Sequence, residues 1–195
     1  MISLIVGLGN AGIRYAETRH NLGYDLLDRI SLKLKMRQRS GRGDYNYAEK
    51  EIDGRMVRLV WPTTFMNNSG LAVMQTMAAY NVPLEEILII YDDYNIPLGS
   101  VRIRMNGSDG GHNGMESVIT HMDSEEITRL RLGIGPVPDE IDPVQFVLGR
   151  FLPEEVEIKE KMLGKAGEAV LYLIKNRPEE AMSIYNHNPA SDSEK

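Results

Sequence analysis

The sequence predicts a single α/β domain built on a twisted, mixed β-sheet flanked by α-helices. Three observations carry this expectation. Short apolar runs alternate with longer segments of helical periodicity along the chain. Residues 45–52 and 56–61 alternate about Asp53-Gly54, a strong hairpin turn, which makes part of the sheet antiparallel. The apolar run at residues 87–91 is continuous, as in a strand covered on both faces.

Each element follows in order. Residues 3–6 read as a short buried strand ended by a glycine turn. Residues 19–35 read as a helix, with Leu22, Leu26, Ile30 and Leu34 on one stripe. The hairpin comes next and is closed by Pro62. Residues 69–80 read as a second helix with Leu71, Met74, Met77 and Ala78 inward, stopped by Asn81 and Pro83. After the strand at 87–91, residues 100–105 alternate Val101, Ile103 and Met105 inward with arginines outward. Residues 113–122 form a short helix after a glycine-rich loop, and residues 129–134 alternate again. Residues 153–176 form a helix with an acidic start and a basic end; its expected buried side is Val156, Met162, Ala166, Val170, Leu173 and Ile174. Residues 178–186 add a turn or two.

Length and composition bound the rest. A chain of 195 residues is most simply one domain, here expected over residues 1–187, with a polar, disordered tail at 188–195. That length buries roughly 70% of the unfolded chain's surface. Hydrophobic residues at 42% and charged residues at 26% are ordinary for a globular protein. There is no cysteine, so thiolate chemistry is excluded and a reducing compartment fits. Residues 2–6 are too few for a signal-peptide core, and no apolar run approaches the roughly 20 residues of a membrane span. The expected setting is cytoplasmic, away from membranes. A formal charge of −6 argues against indiscriminate nucleic-acid binding but leaves room for local basic patches. Lys33, Lys35, Arg37, Arg39 and Arg42 form one acid-free run.

The polar motifs follow strand ends, where ligands bind in such sheets. The segment from Gly7 to Gly12 matches G-x-G-x-x-G and could cradle a dinucleotide phosphate. Two features weigh against that reading: residues 13–18 separate the last glycine from the helix, and no acid stands where a ribose hydroxyl would need one. The alternative is half of a hydrolytic site. His20 stands at a helix start, and Asp92 and Asp93 end a buried strand, where a carboxylate seeks a partner. A carboxylate on one imidazole nitrogen fixes the tautomer and leaves the other nitrogen to take a proton from water. Asn10, Asn67 (or Asn68) and Asn113 sit in loops after strands and supply uncharged donors suited to a peptide group or an oxyanion. The loop at 107–114 is a second flexible glycine segment without the lysine and hydroxyl of a P-loop. No metal-ligand set and no G-x-S-x-G nucleophile motif stands out.

Five ordered segments carry a resemblance along nearly the whole chain. They are Ile5-Val6-Gly7-Leu8-Gly9-Asn10 with Tyr15 and Thr18-Arg19-His20-Asn21; Pro62-Thr63-Thr64-Phe65-Met66-Asn67; Tyr91-Asp92-Asp93 through Pro97 and Gly99; Gly110-Gly111-His112-Asn113-Gly114; and Arg129-Leu130-Arg131 with Gly133-Ile134-Gly135. Phe146-Val147-Leu148-Gly149 fits as well. The chain so resembles bacterial peptidyl-tRNA hydrolase. The resemblance implies an esterase that cleaves the bond between a peptide and the terminal ribose of tRNA, releasing both for reuse. It implies His20 as the base that activates water and Asp92 as the carboxylate that holds it. Asn10 then contacts the peptide part, Asn67 and Asn113 hold substrate and orient the reacting groups, and Tyr15 and Phe65 contact it. Arg102, Arg104 and Arg131 fall where the family keeps basic residues for tRNA phosphates. The resemblance further implies no metal, no cofactor, a monomer, and as partner the acceptor stem and nascent peptide of peptidyl-tRNA. Ala11 stands where the family usually has proline, and Asn95 where a second aspartate is common. An NAD(P)-dependent oxidoreductase using the glycine loop, and a non-catalytic RNA-binding protein on the same fold, are the rival readings.

Overall fold

A computed structural model describes residues 1–186; the expected tail at 188–195 lies outside them. The strands are β1 (Leu4–Gly7), β2 (Arg39–Ser40), β3 (Tyr45–Ile52), β4 (Arg55–Pro62), β5 (Ile87–Pro97), β6 (Val101–Arg104) and β7 (Thr128–Gly135). They form one seven-stranded sheet in the order β2-β3-β4-β1-β5-β7-β6. β4, β1, β5 and β7 run parallel, while β2, β3 and β6 join through antiparallel pairs. The helices are α1 (Leu22–Leu34), α2 (Ser69–Tyr80), α3 (Asn113–Met122), α4 (Pro143–Leu148), α5 (Val156–Lys175) and α6 (Pro178–Tyr185). The mixed sheet flanked by helices is the fold class that the alternation of elements predicts.

Alternation along the central strands decides which helix covers which face. Ile5 of β1 joins α1, α5 and α6 in one core, while Leu4 and Val6 join α2 and α3 in the other. β1 sits mid-sheet with its sequence successors on both sides, so the chain reverses its winding direction there. Such a switch point opens a crevice at the carboxyl ends of the strands.

Two glycines set how closely α1 approaches the sheet. A Cβ on Gly7 would lie 2.3 Å from the Gly23 carbonyl oxygen, and one on Gly23 would lie 2.4 Å from the Leu8 oxygen and 2.7 Å from the Ile90 oxygen. Backbone therefore rests directly on backbone, and the turn before α1 hangs over the end of β1 and the middle of β5. This is a packing task for the glycine loop, not a phosphate cradle.

Several sequence expectations need correction. α2 has the expected limits, but it buries Ser69, Gly70, Ala72, Val73 and Thr76, whereas Met74 is exposed and Ala78 faces solvent. The cause is close contact with α3, where the Gly70 amide donates to Ser117 Oγ at 3.0 Å. Small residues permit that approach, and a helix apolar almost all round gives no phase to read. β5 runs on to Pro97, so Asp92 lies within the strand and not after it. β7 is buried along nearly its whole length, with β5 and β6 closing its two edges, and even Arg129 is only 1% exposed. Val156, the first residue of α5, is exposed. No helix among the described residues is long and apolar enough to cross a membrane.

Gly23→Ala should destabilise the fold by at least about 2 kcal/mol in urea unfolding, because the clash is with backbone that cannot swing away. A loss below about 0.5 kcal/mol would mean that α1 is free to lift off the sheet.

Candidate active site

The pocket forms at the carboxyl ends of β1, β4 and β5. Leu8 still donates to the Ile90 oxygen at 2.8 Å, and then the chain leaves the sheet. Asn10 is held on three sides. Its amide donates to Asn21 Oδ1 at 2.8 Å, its carbonyl accepts from Asn21 Nδ2 at 3.0 Å, and its Oδ1 accepts from the Met66 amide at 2.9 Å. Its Nδ2 has no partner among the described residues and belongs to the pocket wall. Asn21 is thus a positioning residue for Asn10 that residue-type reasoning passed over.

His20 sits in a tight turn, Arg19–Asn21, just before α1. Its Nδ1 lies 3.0 Å from both Asp92 carboxylate oxygens. Asp92 is 1% exposed. Burial alone would lower the His20 pKa, but the Asp92 charge and hydrogen bond outweigh it, so the ring titrates above its ordinary 6.5. Burial alone would likewise raise Asp92. The His20 charge and the hydrogen bonds from His112 and His20 instead hold it well below the usual carboxylate range.

His112 is a second site residue to which the sequence pattern assigns no role. It caps α3: its Nδ1 accepts from the Met115 amide at 3.1 Å. That nitrogen therefore carries no proton, and the opposite Nε2–H points at Asp92 Oδ1, 3.3 Å away. The two imidazole rings stand 4.8 Å apart, with the carboxylate between them. The G-G-H-N-G motif holds the signal, because a histidine directly before a helix can cap it.

The ligand atoms of His20, Asp92 and His112 all lie within 4.8 Å of one another, close enough for a metal ion. The hydrogen bonds do not fit one. A metal would need the His112 Nε2 bare, which would move that ring's proton onto the nitrogen already accepting from Met115.

The neighbouring Asp93 is a separate unit. Its Oδ1 accepts from the Asn95 amide at 2.8 Å and its Oδ2 from Arg131 Nε at 2.6 Å. Asn95 in turn donates to the Gly110 oxygen at 2.8 Å, tying the strand end to the glycine loop. Arg131 is therefore paired with a buried carboxylate. Arg102 lies opposite Arg131 across the β6–β7 pair and donates to the Asn186 oxygen at 2.7 Å. Arg104 is exposed on the same edge strand, and neither it nor Arg102 lines the pocket.

The cavity measures about 310 Å³, and Tyr15, Phe65, Asn67 and Asn113 line it with Asn10, His20 and Asp92. Asn67 lines it and Asn68 does not. One wall is α4, which no sequence expectation covers; Asp142 Oδ1 caps it, accepting from the Val144 and Gln145 amides at 3.0 and 3.1 Å. Among the described residues, no serine, threonine, cysteine or lysine lines the cavity. The dinucleotide reading also fails on geometry, since the glycine loop leads to Asn10 and a short turn, and α1 starts only at Leu22.

A pocket at the switch point of a mixed sheet, with an imidazole–carboxylate pair and neutral amides, defines an α/β enzyme of the hydrolase class. Comparison with known proteins gives the family. The peptidyl-tRNA hydrolase family model matches residues 4–194. The chain is 40% identical to the peptidyl-tRNA hydrolase of Halalkalibacterium halodurans over 95% of its own length and 100% of that protein's. It is 43% identical to that of Thermotoga maritima over 94% and 96%. The crystal structure of peptidyl-tRNA hydrolase from Acinetobacter baumannii superposes with a TM-score of 0.89 at 33% identity, covering 95% of this chain and 94% of the other. This chain belongs to the peptidyl-tRNA hydrolase family. An Arabidopsis thaliana 5′-methylthioadenosine nucleosidase, at 9% identity and a TM-score of 0.55, shares the fold alone.

Arg131→Met should destabilise the protein by about 2–3 kcal/mol, because it strands a buried Asp93 charge. Arg104→Met should stay within about 0.5 kcal/mol. Equal effects of the two in urea unfolding would show that the Asp93 pair carries no such weight.

Proposed function

We propose that this chain hydrolyses the ester joining the peptide to the 3′ ribose of tRNA in peptidyl-tRNA, with His20 as general base and Asp92 as its orienting carboxylate. The activity follows from membership of the family. The residue roles rest on one observation above all: the buried Asp92 carboxylate faces Nδ1 of an imidazole that lines the pocket.

With Nδ1–H given to Asp92, the lone pair of His20 is on Nε2. Nε2 takes a proton from a water molecule, and the hydroxide adds to the ester carbonyl carbon. The tetrahedral oxyanion that results is held by uncharged donors, for which Asn10 Nδ2 and the side-chain amides of Asn67 and Asn113 are suited. Collapse breaks the bond to the ribose oxygen, and the imidazolium returns its proton to that oxygen. The products are a peptide acid and a tRNA with a free 3′ hydroxyl. With no serine, threonine, cysteine or lysine among the described lining residues, water is the suited nucleophile. Tyr15 and Phe65 sit at the wall where they can contact the substrate, Phe65 being 62% exposed. Arg102 and Arg104 on β6 offer cations to the tRNA phosphates, and Arg131 joins them only as far as its pairing with Asp93 allows. Peptidyl-tRNA arises where translation runs, which suits the cytosol.

His20→Ala should lose at least about 10²–10⁴-fold in turnover of purified peptidyl-tRNA, while remaining folded and able to bind tRNA. Near-normal turnover would overturn the assignment. For the free enzyme, kcat/KM should rise with pH through the raised His20 pKa, because only the neutral ring is a base. Asp92→Asn removes the charge that raises it and leaves the burial that lowers it. The acid limb should therefore move to lower pH, with a rate loss of about 10²-fold or more through misplaced tautomer and orientation. An unmoved limb would break the link between the two residues.

A further inference from the structure

The residue before the base makes its own set of contacts, and none of them touches the reacting groups. Arg19 is 6% exposed. In a turn of three residues per revolution, neighbouring side chains diverge by about 120°. His20 goes to Asp92, and Arg19 goes the other way, to α4 and the segment after it. Its Nη1 donates to the Arg150 oxygen at 2.7 Å and its Nη2 to Glu155 Oε2 at 2.7 Å. Its guanidinium carbon lies 4.4 Å from the Phe146 ring centre and 5.1 Å from that of Phe151. Its backbone amide donates to the Gly149 oxygen at 2.9 Å, and Thr18 makes a β-bridge to Arg150.

α4 needs such an anchor. It has six residues, of which only Phe146 and Val147 are buried. A helix that short does not hold itself in water. Yet Pro143, Val144, Val147 and Leu148 form one apolar wall of the pocket, with Val144 59% exposed at the mouth. The wall therefore stands where Arg19 holds it.

We infer that Arg19 is a positioning residue that sets the width of the substrate pocket, by clamping the α4 wall to the turn that carries His20, with Glu155 as its counter-ion. This rests on the hydrolase reading above and adds to it a determinant of substrate affinity. The clamp acts on the apolar side of the pocket, so it governs how well a bulky amino-acid side chain next to the ester is held. The His20–Asp92 contact does not depend on it, because Asp92, His112 and the Asn10–Asn21 bonds hold that side of the turn.

The test is steady-state hydrolysis of N-acetyl-phenylalanyl-tRNA and N-acetyl-glycyl-tRNA by wild type, Arg19→Met, Arg19→Lys and Glu155→Gln, with circular dichroism for the folded fraction. Arg19→Met should raise KM for the phenylalanyl substrate about tenfold and for the glycyl substrate about twofold. Its kcat should fall by less than about threefold, and the acid limb of its pH profile should keep its midpoint. Arg19→Lys keeps the ion pair but not the fork, and should fall between. Glu155→Gln should raise KM for the phenylalanyl substrate about threefold, and it decides the matter if Arg19→Met does not fold. Unchanged KM in the folded variants, with kcat tracking only the folded fraction, would overturn the inference. A wild-type enzyme that cleaves neither substrate would overturn the hydrolase reading instead.

Discussion

A carboxylate that is 1% exposed can stay ionised only if cations or donors surround it, and Asp92 is such a group. Its partners are two imidazoles brought from distant parts of the chain, His20 at 3.0 Å and His112 at 3.3 Å. Much of the architecture serves that meeting. The turn bearing His20 must lie over Asp92 within β5, which requires α1 to rest on the sheet through Gly7 and Gly23. His112 must stand at the start of α3 with its other nitrogen occupied by a backbone amide. The opposed tautomers that result give one ring a bare nitrogen in the pocket and leave the other as a pure donor to the carboxylate.

Successive residues on a strand point to opposite faces, and this separates Asp92 from Asp93. Two adjacent buried carboxylates on one face would repel each other. Arg131 and the Asn95 amide satisfy Asp93, so the imidazoles answer to Asp92 alone. An arginine that looks like part of a surface patch is therefore part of the electrostatic balance of the site. Arg129 shows the same logic in the next layer. It is buried on β7 and donates to the carbonyls of Gly107, Ser108, Glu125 and Ile127, which holds the root of the glycine loop that presents His112 and Asn113.

Much of this was legible in the sequence, for physical reasons. The hairpin has its Asp53-Gly54 turn, α3 has its glycine-rich entry, and α2 has Asn81 and Pro83 beyond its end; each is local chemistry that a linear chain displays. His20, Asp92, Asn10, Asn67 and Asn113 do line one cavity, as their positions after or near strand ends predict. What escaped depends on contacts between distant segments. The inward face of α2 is set by the close approach of Gly70 to Ser117, not by its own periodicity. Burial of Arg129 and the commitment of Arg131 depend on which strands flank β7. α4 is too short to show a period, although Asp142-Pro143 is a legible start for it.

The most direct test is the protonation of the two imidazoles, read from their ring ¹⁵N shifts by NMR at mildly alkaline pH. His20 should carry its proton on Nδ1 and leave Nε2 bare, and His112 should show the opposite tautomer. On acidification His20 should titrate above 6.5. His20 protonated on Nε2 in its neutral form would contradict the account, because no base would then face the pocket and Asp92 would have no imidazole N–H from that side.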